Sequence, residues 1–246
     1  MSTAVAIIIG DEILSGKIID TNTPILIQFL RNLGISLVRI VIVSDKPMDI
    51  AEEVRRSASQ NDYIFTSGGL GPTHDDRTVE GVALALDRKI VRHPEFEALI
   101  HKHMGDRVND AALKMADLPE GSELIGAEPI PVIRCANVFM LPGVPEIFSA
   151  KLRTLTKELA VETIPTVHRI YLGCAETLIA EFLTQADQAF EHVKIGSYPR
   201  LPGTTYRVMV TVESKQKALV EQAMSKLLEL LPKDQVLRVE TDQESE

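Results

Sequence analysis

The 246-residue chain contains no tryptophan, and phenylalanine and tyrosine bring aromatics to only 4%. Its core must therefore be built from Ile, Leu, Val and Ala, with few large rings to anchor it. Cysteine is scarce as well: Cys135 and Cys174 are too few and too far apart for a disulfide framework or a zinc ribbon, which fits a reducing cytoplasm. Positive charge is in deficit, with 26 Lys and Arg against 35 Asp and Glu and a formal net charge of −9. That balance argues against a nucleic-acid partner, which calls for a basic surface. It does not argue against a phosphorylated small molecule, because backbone N–H groups and metal ions hold anions without lysine. Long apolar runs are missing too. The opening AVAIIIG stops at Asp11-Glu12, too short to cross a bilayer, and carries no basic leader or cleavage site. A cytoplasmic protein with no membrane partner is expected.

What is present is 45% hydrophobic and 25% charged residues, close to the average of a soluble globular chain. The length allows one large domain, or one of ordinary size plus a small one. Val5–Ile9 is a continuous apolar run of strand length. Pro24 to Leu33 places Ile25, Leu26, Phe29, Leu30 and Leu33 on one helical face, with Thr23 as N-cap and Gly34 as terminator. A strand follows over Ile35–Val43, a helix over Met48–Gln60 and a strand over Tyr63–Thr66. Val79, Val82, Ala83 and Leu86 then mark another helix by their i, i+3, i+4, i+7 spacing. This alternation predicts an α/β fold with a mostly parallel sheet and helices on both faces. Pro94 to about Ala116 is helical but looser, with a break near Gly105, and Pro119, Gly121, Pro129 and Pro131 mark a loop-rich passage with short strands. Asn137–Leu141 is a buried strand, and a long amphipathic helix runs from Val144 to Leu159. Beyond Ile164-Pro165 the order becomes strand (Val167–Leu172), helix (Glu176–Phe190), strand (Val193–Tyr198), strand (Tyr206–Val212), helix (Lys215–Leu231) and strand (Gln235–Val239). That β-α-β-β-α-β order predicts a small α+β, ferredoxin-like domain, so the domains are drawn at 1–165 and 166–246. The short acidic tail is expected to fray.

In a parallel sheet, ligands meet the carboxyl ends of the strands, and the polar motifs fall there. TSGGLGPTHDD (Thr66–Asp76) follows a strand and opens a helix. Gly68, Gly69 and Gly71 permit positive φ and close backbone approach, so their N–H groups can form an anion site. The spacing is neither the dinucleotide fingerprint nor a Walker loop. The plainer alternative is a tight turn in which Thr73 or Asp75 caps the helix and Asp76 complements its dipole. Two acids beside an anion loop favour a cation between them, since carboxylate and phosphate repel. His74 is either a ligand or an ordinary exposed loop histidine.

GDEILSGKIIDTN (Gly10–Asn22) brings Asp11 and Glu12 to one strand end, and Asp20, Thr21 and Asn22 to the next helix. Asp45 ends the second strand, and LPGVPE (Leu141–Glu146) ends another, with Pro142 and Pro145 stiffening it, Gly143 open and Glu146 in the first helical turn. Each has a bland reading as cap, turn or dipole partner. Together, carboxylates from neighbouring loops make a metal cradle. In the second domain Tyr198, Arg200, Tyr206 and Arg207 surround a turn; tyrosine there could stack on a ring, and hairpin surface is the plainer reading. His101 and His103 do not share a helical face and are taken as surface.

In this order, GDEILSGKIIDTNT, VIVSD, TSGGLGPTHDD and LPGVPE resemble the MoaB/Mog (molybdopterin-binding) superfamily. More narrowly, they resemble the N-terminal part of competence-damage-inducible protein A (CinA) and the molybdopterin-binding-like domain of eukaryotic FAD synthases, with IGSYP and YRVMVTVES similar to the latter. The resemblance implies a three-layer α/β/α domain followed by a small α+β domain. It also implies divalent-metal-dependent hydrolysis of a nucleotide pyrophosphate such as ADP-ribose or FAD, or, as the alternative, non-catalytic binding of molybdopterin or a nucleotide. A structural role on a degenerate site ranks below both. CinA proteins usually carry a further amidase domain and FAD synthases a synthase half; neither activity is expected of these residues. On this reading Glu12, Asp75 and Asp76 hold Mg²⁺, Mn²⁺ or Co²⁺, with a monovalent cation left open. Asp11, Asp20 or Asp45, with Asp76, serve catalysis. Asn22, Ser67, Gly68, Gly69, Leu70, Gly71, Pro72, Thr73, Pro142, Gly143, Glu146 and Tyr198 contact the nucleotide or pterin phosphate. A homodimer is expected by analogy.

Overall fold

The computed structural model describes residues 2–126 and 130–241. Pro129 and the acidic tail lie outside the described residues. The chain divides into two compact units, Met1–Glu162 and Thr163–Glu246, where the sequence reading drew the division at about residue 165.

The first unit runs β1 (Thr3–Ile9), α1 (Asp11–Leu14), α2 (Asn22–Asn32), β2 (Ser36–Val43), α3 (Pro47–Ala58), β3 (Tyr63–Ser67), α4 (Thr78–Ala85), β4 (Ile90–Arg92), α5 (Pro94–Met104), α6 (Asp110–Lys114), β5 (Asp117–Pro119), β6 (Glu123–Ile125), β7 (Val132–Cys135), β8 (Val138–Leu141) and α7 (Pro145–Thr154). Its main sheet has the order β2-β1-β3-β8-β7-β6. The first four strands are mutually parallel, and β7 and β6 extend the sheet by antiparallel pairing. Because successive side chains of a strand face opposite ways, β1 feeds two cores. Val5, Ile7 and Ile9 pack with Ile50 of α3, Val82 of α4 and Phe96 of α5. Ala4, Ala6 and Ile8 pack with Leu26 and Leu30 of α2 and with Phe148 and Leu152 of α7. Burial on both sides is why Val5–Ile9 is continuously apolar rather than alternating. The result is the three-layer α/β/α sandwich expected.

The second unit runs β9 (Thr166–Leu172), α8 (Ala180–Ala189), β10 (Lys194–Pro199), β11 (Val208–Ser214), α9 (Lys217–Leu230) and β12 (Val236–Glu240). Its sheet, β10-β11-β9-β12, is antiparallel throughout. Here the helices cover one face, and β11 accordingly alternates: Val208, Val210 and Val212 are buried against Val220 and Leu227 of α9. This is the ferredoxin-like order.

Several local expectations are corrected. Helix α2 begins at Asn22, and its cap is Asp20 rather than Thr23: Asp20 Oδ1 accepts from the N–H of Asn22 at 2.9 Å and of Thr23 at 3.2 Å. Thr23 itself is buried in the first turn. The strand end at Asp11-Glu12 turns at once into the single turn of α1. The long helix expected to Leu159 closes at Thr154 and continues as a 3₁₀ turn over Leu155–Lys157. The helix expected from Glu176 opens with a 3₁₀ turn, and its α part starts at Ala180. The break near Gly105 is present, at φ 52°. The β4/β5 ribbon was not anticipated, because strands of three residues, β4 being exposed throughout, leave no periodicity to detect. Among the described residues no helix is long and apolar enough to cross a membrane.

Candidate functional site

The sheet order reverses direction between β1 and β3: the chain leaves β1 to build β2 on one side, then returns to place β3 on the other. Such a switch point opens a crevice at the strand carboxyl ends, and here it lies between Ile9 and Ser67. The glycine loop closes over it. Gly68 and Gly69 adopt φ of 101° and 58°, a left-handed region that favours glycine. A Cβ on Gly68 would collide with the carbonyl oxygen of Ile9, and one on Gly69 would lie 2.5 Å from Thr78 Oγ1. Gly68 N–H donates to Leu141 O at 3.3 Å, while Thr78, fully buried at the start of α4, donates Oγ1–H to Gly68 O at 2.7 Å and N–H to Gly69 O at 3.0 Å. The loop is therefore pinned from both ends. Thr73 N–H is also committed, to Asp76 Oδ2 at 2.8 Å. Pro72 has no N–H, so the cradle expected over Gly68–Thr73 narrows to the N–H groups of Gly69, Leu70 and Gly71.

Asn22 ties three loops together. It is 5% exposed, and its Nδ2 donates to Ser67 Oγ at 2.9 Å and to Gly143 O at 2.8 Å. The Gly143 carbonyl can only accept, which fixes the orientation of the amide. Asn22 Oδ1 has no partner among the described residues. It borders a cavity of about 160 Å³ whose wall includes Glu12, Ile13, Ile18, Ile19, Ser67 and Gly143. Pro142 is buried beneath Gly143, and Glu146 is exposed in the first turn of α7.

The carboxylates arrive from three successive strand ends. Asp45 Oδ2 accepts the Asp11 N–H at 2.8 Å. Burial pushes the Asp45 carboxyl above its ordinary value, and the negative charges of Asp11, Glu12 and Asp75 add to the effect against that hydrogen bond. Asp75 and Asp76 converge on Thr73, whose Oγ1 lies 2.6 Å from Asp75 Oδ1 and 2.5 Å from Asp76 Oδ2. A hydroxyl has one proton to give, so only one of the two carboxylates takes it, and Asp76 Oδ2 in any case accepts the Thr73 N–H. The Thr73 hydrogen bond holds Asp75 below the usual carboxylate range. His74 projects into solvent with its side chain 98% exposed. The donor set consists of hard oxygens, which would suit Mg²⁺ or Mn²⁺, and the negative charges that add to burial in raising Asp45 are ones a cation would offset. Among the described residues, no three His, Cys, Asp or Glu side chains already surround one point.

The raised Asp45 has a consequence for stability. Its ionised form is disfavoured in the fold, so the penalty is fully present above the raised folded value and disappears as pH falls below the unfolded value. Asn at this position keeps an acceptor for the Asp11 N–H and removes the repulsion. In chelator at neutral pH, Asp45→Asn is expected to melt above wild type, with the gap closing toward acidic pH; a variant that melts lower at neutral pH would contradict this account.

Of the other expected residues, Asp20 is engaged in capping α2, and Tyr198 lies on β10 of the second unit, exposed at its surface. All the rest belong to the first unit. Thr78 was missed: a threonine at a helix start signals a cap, whereas here its hydroxyl anchors the preceding loop.

Comparison with known proteins places these features in a family. Residues 5–161 match the model described as "Probable molybdopterin binding domain", and residues 166–240 match "FAD synthase, middle domain". The chain belongs to this molybdopterin-binding-domain family. It is 34% identical to a protein of Archaeoglobus fulgidus, over 92% of this chain and 97% of that one. It is 32% identical to a "Probable FAD synthase" of Caenorhabditis elegans over 93% of this chain, but spans only 50% of that relative's length. A CinA-like protein of Chlorobaculum tepidum is 29% identical over 91% of this chain and 58% of its own. The crystal structure of "the protein CinA with unknown function" from Thermoplasma acidophilum superposes with a TM-score of 0.61 at 32% identity, covering 65% of this chain and 100% of that one.

Proposed function

We propose that the chain hydrolyses a nucleotide pyrophosphate bond of the ADP-ribose or FAD type with a divalent metal ion. The observation that carries this reading is that the loops after β1, β2 and β3 bring Asp11, Glu12, Asp45 and Asp75 to one sheet edge, beside a glycine loop that offers N–H groups and no lysine or arginine. A phosphate can approach that much negative charge only with a cation between them. Glu12, Asp75 and Asp76 would hold the ion, which neutralises phosphate oxygens and acidifies water when bound. Gly69, Leu70 and Gly71 orient the phosphate through their N–H groups. Asp45, held through Oδ2 by the Asp11 N–H, would accept a proton from the attacking water. A new bond forms from the water oxygen to phosphorus, the bridging P–O bond breaks, and two phosphate monoesters leave. Asn22 Oδ1 presents an acceptor to an N–H or O–H of the ligand. Asp11 holds Asp45 in place through its backbone.

A second reading is binding of a nucleotide or molybdopterin without turnover, favoured by the absence, among the described residues, of three carboxylates converged on one point. The two are separated by incubating the protein with ADP-ribose or FAD and Mg²⁺, Mn²⁺ or Co²⁺. Release of AMP that stops on addition of chelator is expected. Nucleotide binding without any AMP release would overturn the hydrolase and leave the binding module.

A further inference from the structure

The proposed hydrolysis draws on the first unit alone. In the second unit α8 and α9 cover one face of the β10-β11-β9-β12 sheet. Val208, Val210 and Val212 point to the helices, so Met209 and Thr211 point away from them. Cross-strand partners share a face, and the register therefore fixes what stands on this open side. One row across the sheet is Tyr198, Met209, Tyr171, Arg238, and the next is Gly196, Thr211, Arg169, Glu240. A Cβ on Gly196 would lie 2.9 Å from the Tyr198 hydroxyl and 3.0 Å from its Cε2. The Tyr198 ring thus lies back across the glycine instead of standing up from the sheet, and it is 53% exposed there. Tyr206 extends the aromatic row, its ring meeting Tyr171 edge to face at 4.8 Å. Both of these rings carry planar cations: Arg238 lies 4.2 Å from the centre of Tyr171, and Arg200 lies 4.6 Å from the centre of Tyr206.

Charge is divided between the two faces. Arg169, Arg200, Arg238 and Lys194 stand on the open side, against the carboxylates of Glu213 and Glu240. Glu213 faces Lys194 across the register. Glu240 is committed, accepting the Tyr171 hydroxyl at 2.7 Å and pairing with Arg238 at 2.9 Å. The open side therefore keeps a surplus of positive charge. Glu181, Asp187, Glu221 and Glu229 belong to α8 and α9, across the sheet from it. The net charge of −9, which argues against a nucleic-acid partner, is that of the whole chain. Exposed charges more than about 8 Å apart are largely screened at physiological ionic strength, so a ligand lying on this sheet meets the local surplus.

We propose that the open face of the β10-β11-β9-β12 sheet binds single-stranded nucleic acid. Bases stack on Tyr198 and on the exposed guanidinium planes of Arg200 and Arg238, and the N–H edges of these arginines and of Arg169 meet the phosphates. Rings and arginines follow one another along a row, so a single nucleotide meets one platform while a strand crossing the sheet engages several. A duplex keeps its base faces in its own stack and offers none to Tyr198. An acidic peptide supplies charge but no flat ring. Stacking is indifferent to base identity, so the site takes strands without reading their sequence. Nothing in it depends on the hydrolase.

The test is fluorescence anisotropy of the full chain with short labelled oligo(U) and oligo(dT), titrated between about 50 and 200 mM KCl. Both strands should bind with dissociation constants of roughly 1–100 µM near physiological salt, tightening as salt falls. A duplex of the same length should compete at least tenfold less well. Tyr198, Arg200 and Lys226 are exposed, so their alanine variants are expected to melt like wild type. Tyr198→Ala should weaken binding at least about fivefold and leave the salt slope unchanged. Arg200→Ala should weaken binding and reduce the slope of log K against log salt by about 0.7, the share of one phosphate. Lys226→Ala, on α9 across the sheet, should change neither. Failure of both strands to bind at the lowest salt with protein at about 100 µM would overturn the site. So would a duplex or a polyglutamate peptide bound as tightly as the strands, or Lys226→Ala as damaging as Arg200→Ala. Should Tyr198→Ala lose its fold, unchanged affinity and slope in Arg200→Ala suffice to reject it.

Discussion

Alanine at position 76 is expected to lower metal-dependent turnover on the order of 10²–10³-fold, the scale on which losing one preorganised charged or hydrogen-bonding group acts. Asp76 performs two tasks that this substitution removes together. Its carboxylate braces the loop, accepting Thr73 N–H at 2.8 Å and lying 2.5 Å from Thr73 Oγ1. It also contributes charge at the place where a cation must lie between phosphate and protein. Asp76→Asn separates the tasks: its amide oxygen still accepts from Thr73, but the charge is gone. Alanine should cost about 1 kcal/mol of stability through the lost hydrogen bond to Thr73, and asparagine should recover most of it. Neither variant should recover turnover. Steady-state kinetics at saturating Mn²⁺ and thermal melts read the two effects separately. An asparagine variant with wild-type turnover would reduce Asp76 to a loop brace.

Gly68→Ala is expected to be the most damaging single-methyl substitution in the first unit. A left-handed conformation at a residue with a side chain costs about 1–3 kcal/mol, and here it is only part of the effect. The added Cβ would meet the Ile9 carbonyl, a backbone atom of the interior strand β1 with no flexible side chain to swing away. Relief requires separating β3 from β1, which also disturbs the Gly68–Leu141 and Thr78–Gly68 hydrogen bonds. A loss of at least about 3 kcal/mol is expected, a large fraction of a typical 5–15 kcal/mol. Gly16→Ala is the matched comparison: φ is 72°, also left-handed, but nothing lies within 4 Å of the added methyl. Urea denaturation of both variants isolates the steric part. Equal losses would show that the approach to Ile9 is not what requires glycine.

Most of this architecture was legible from periodicity. The continuous apolar run of β1 announces a strand buried on both faces, and the alternation in β11 one covered on a single face, because pattern records how many sides of an element are dry. That the loops carrying Asp11, Asp45 and Asp75 follow strands of one parallel set was legible from topology, since parallel strands deliver their following loops to one edge. What escaped depended on contacts distant in sequence. Asn22 resembles a helix cap until the fold shows Ser67 and Gly143 against its amide. Asp20 takes the capping task two residues earlier. Ile90 belongs to a strand too short for any period.

The position of β1 between β2 and β3 also affects how the chain is made. Its two pairing partners, Ser36–Val43 and Tyr63–Ser67, both lie downstream. During synthesis this buried segment therefore emerges before the strands that pair with it. At about 5–20 residues per second, several seconds separate the addition of Ile9 from that of Ser67. For that interval Ala4–Ile9 is a bare, uncharged, β-branched segment, the kind that self-associates between chains or engages a holding chaperone. The acids that follow it at once, Asp11 and Glu12, are positioned to act as gatekeepers in the nascent chain before they have any role at a finished cleft.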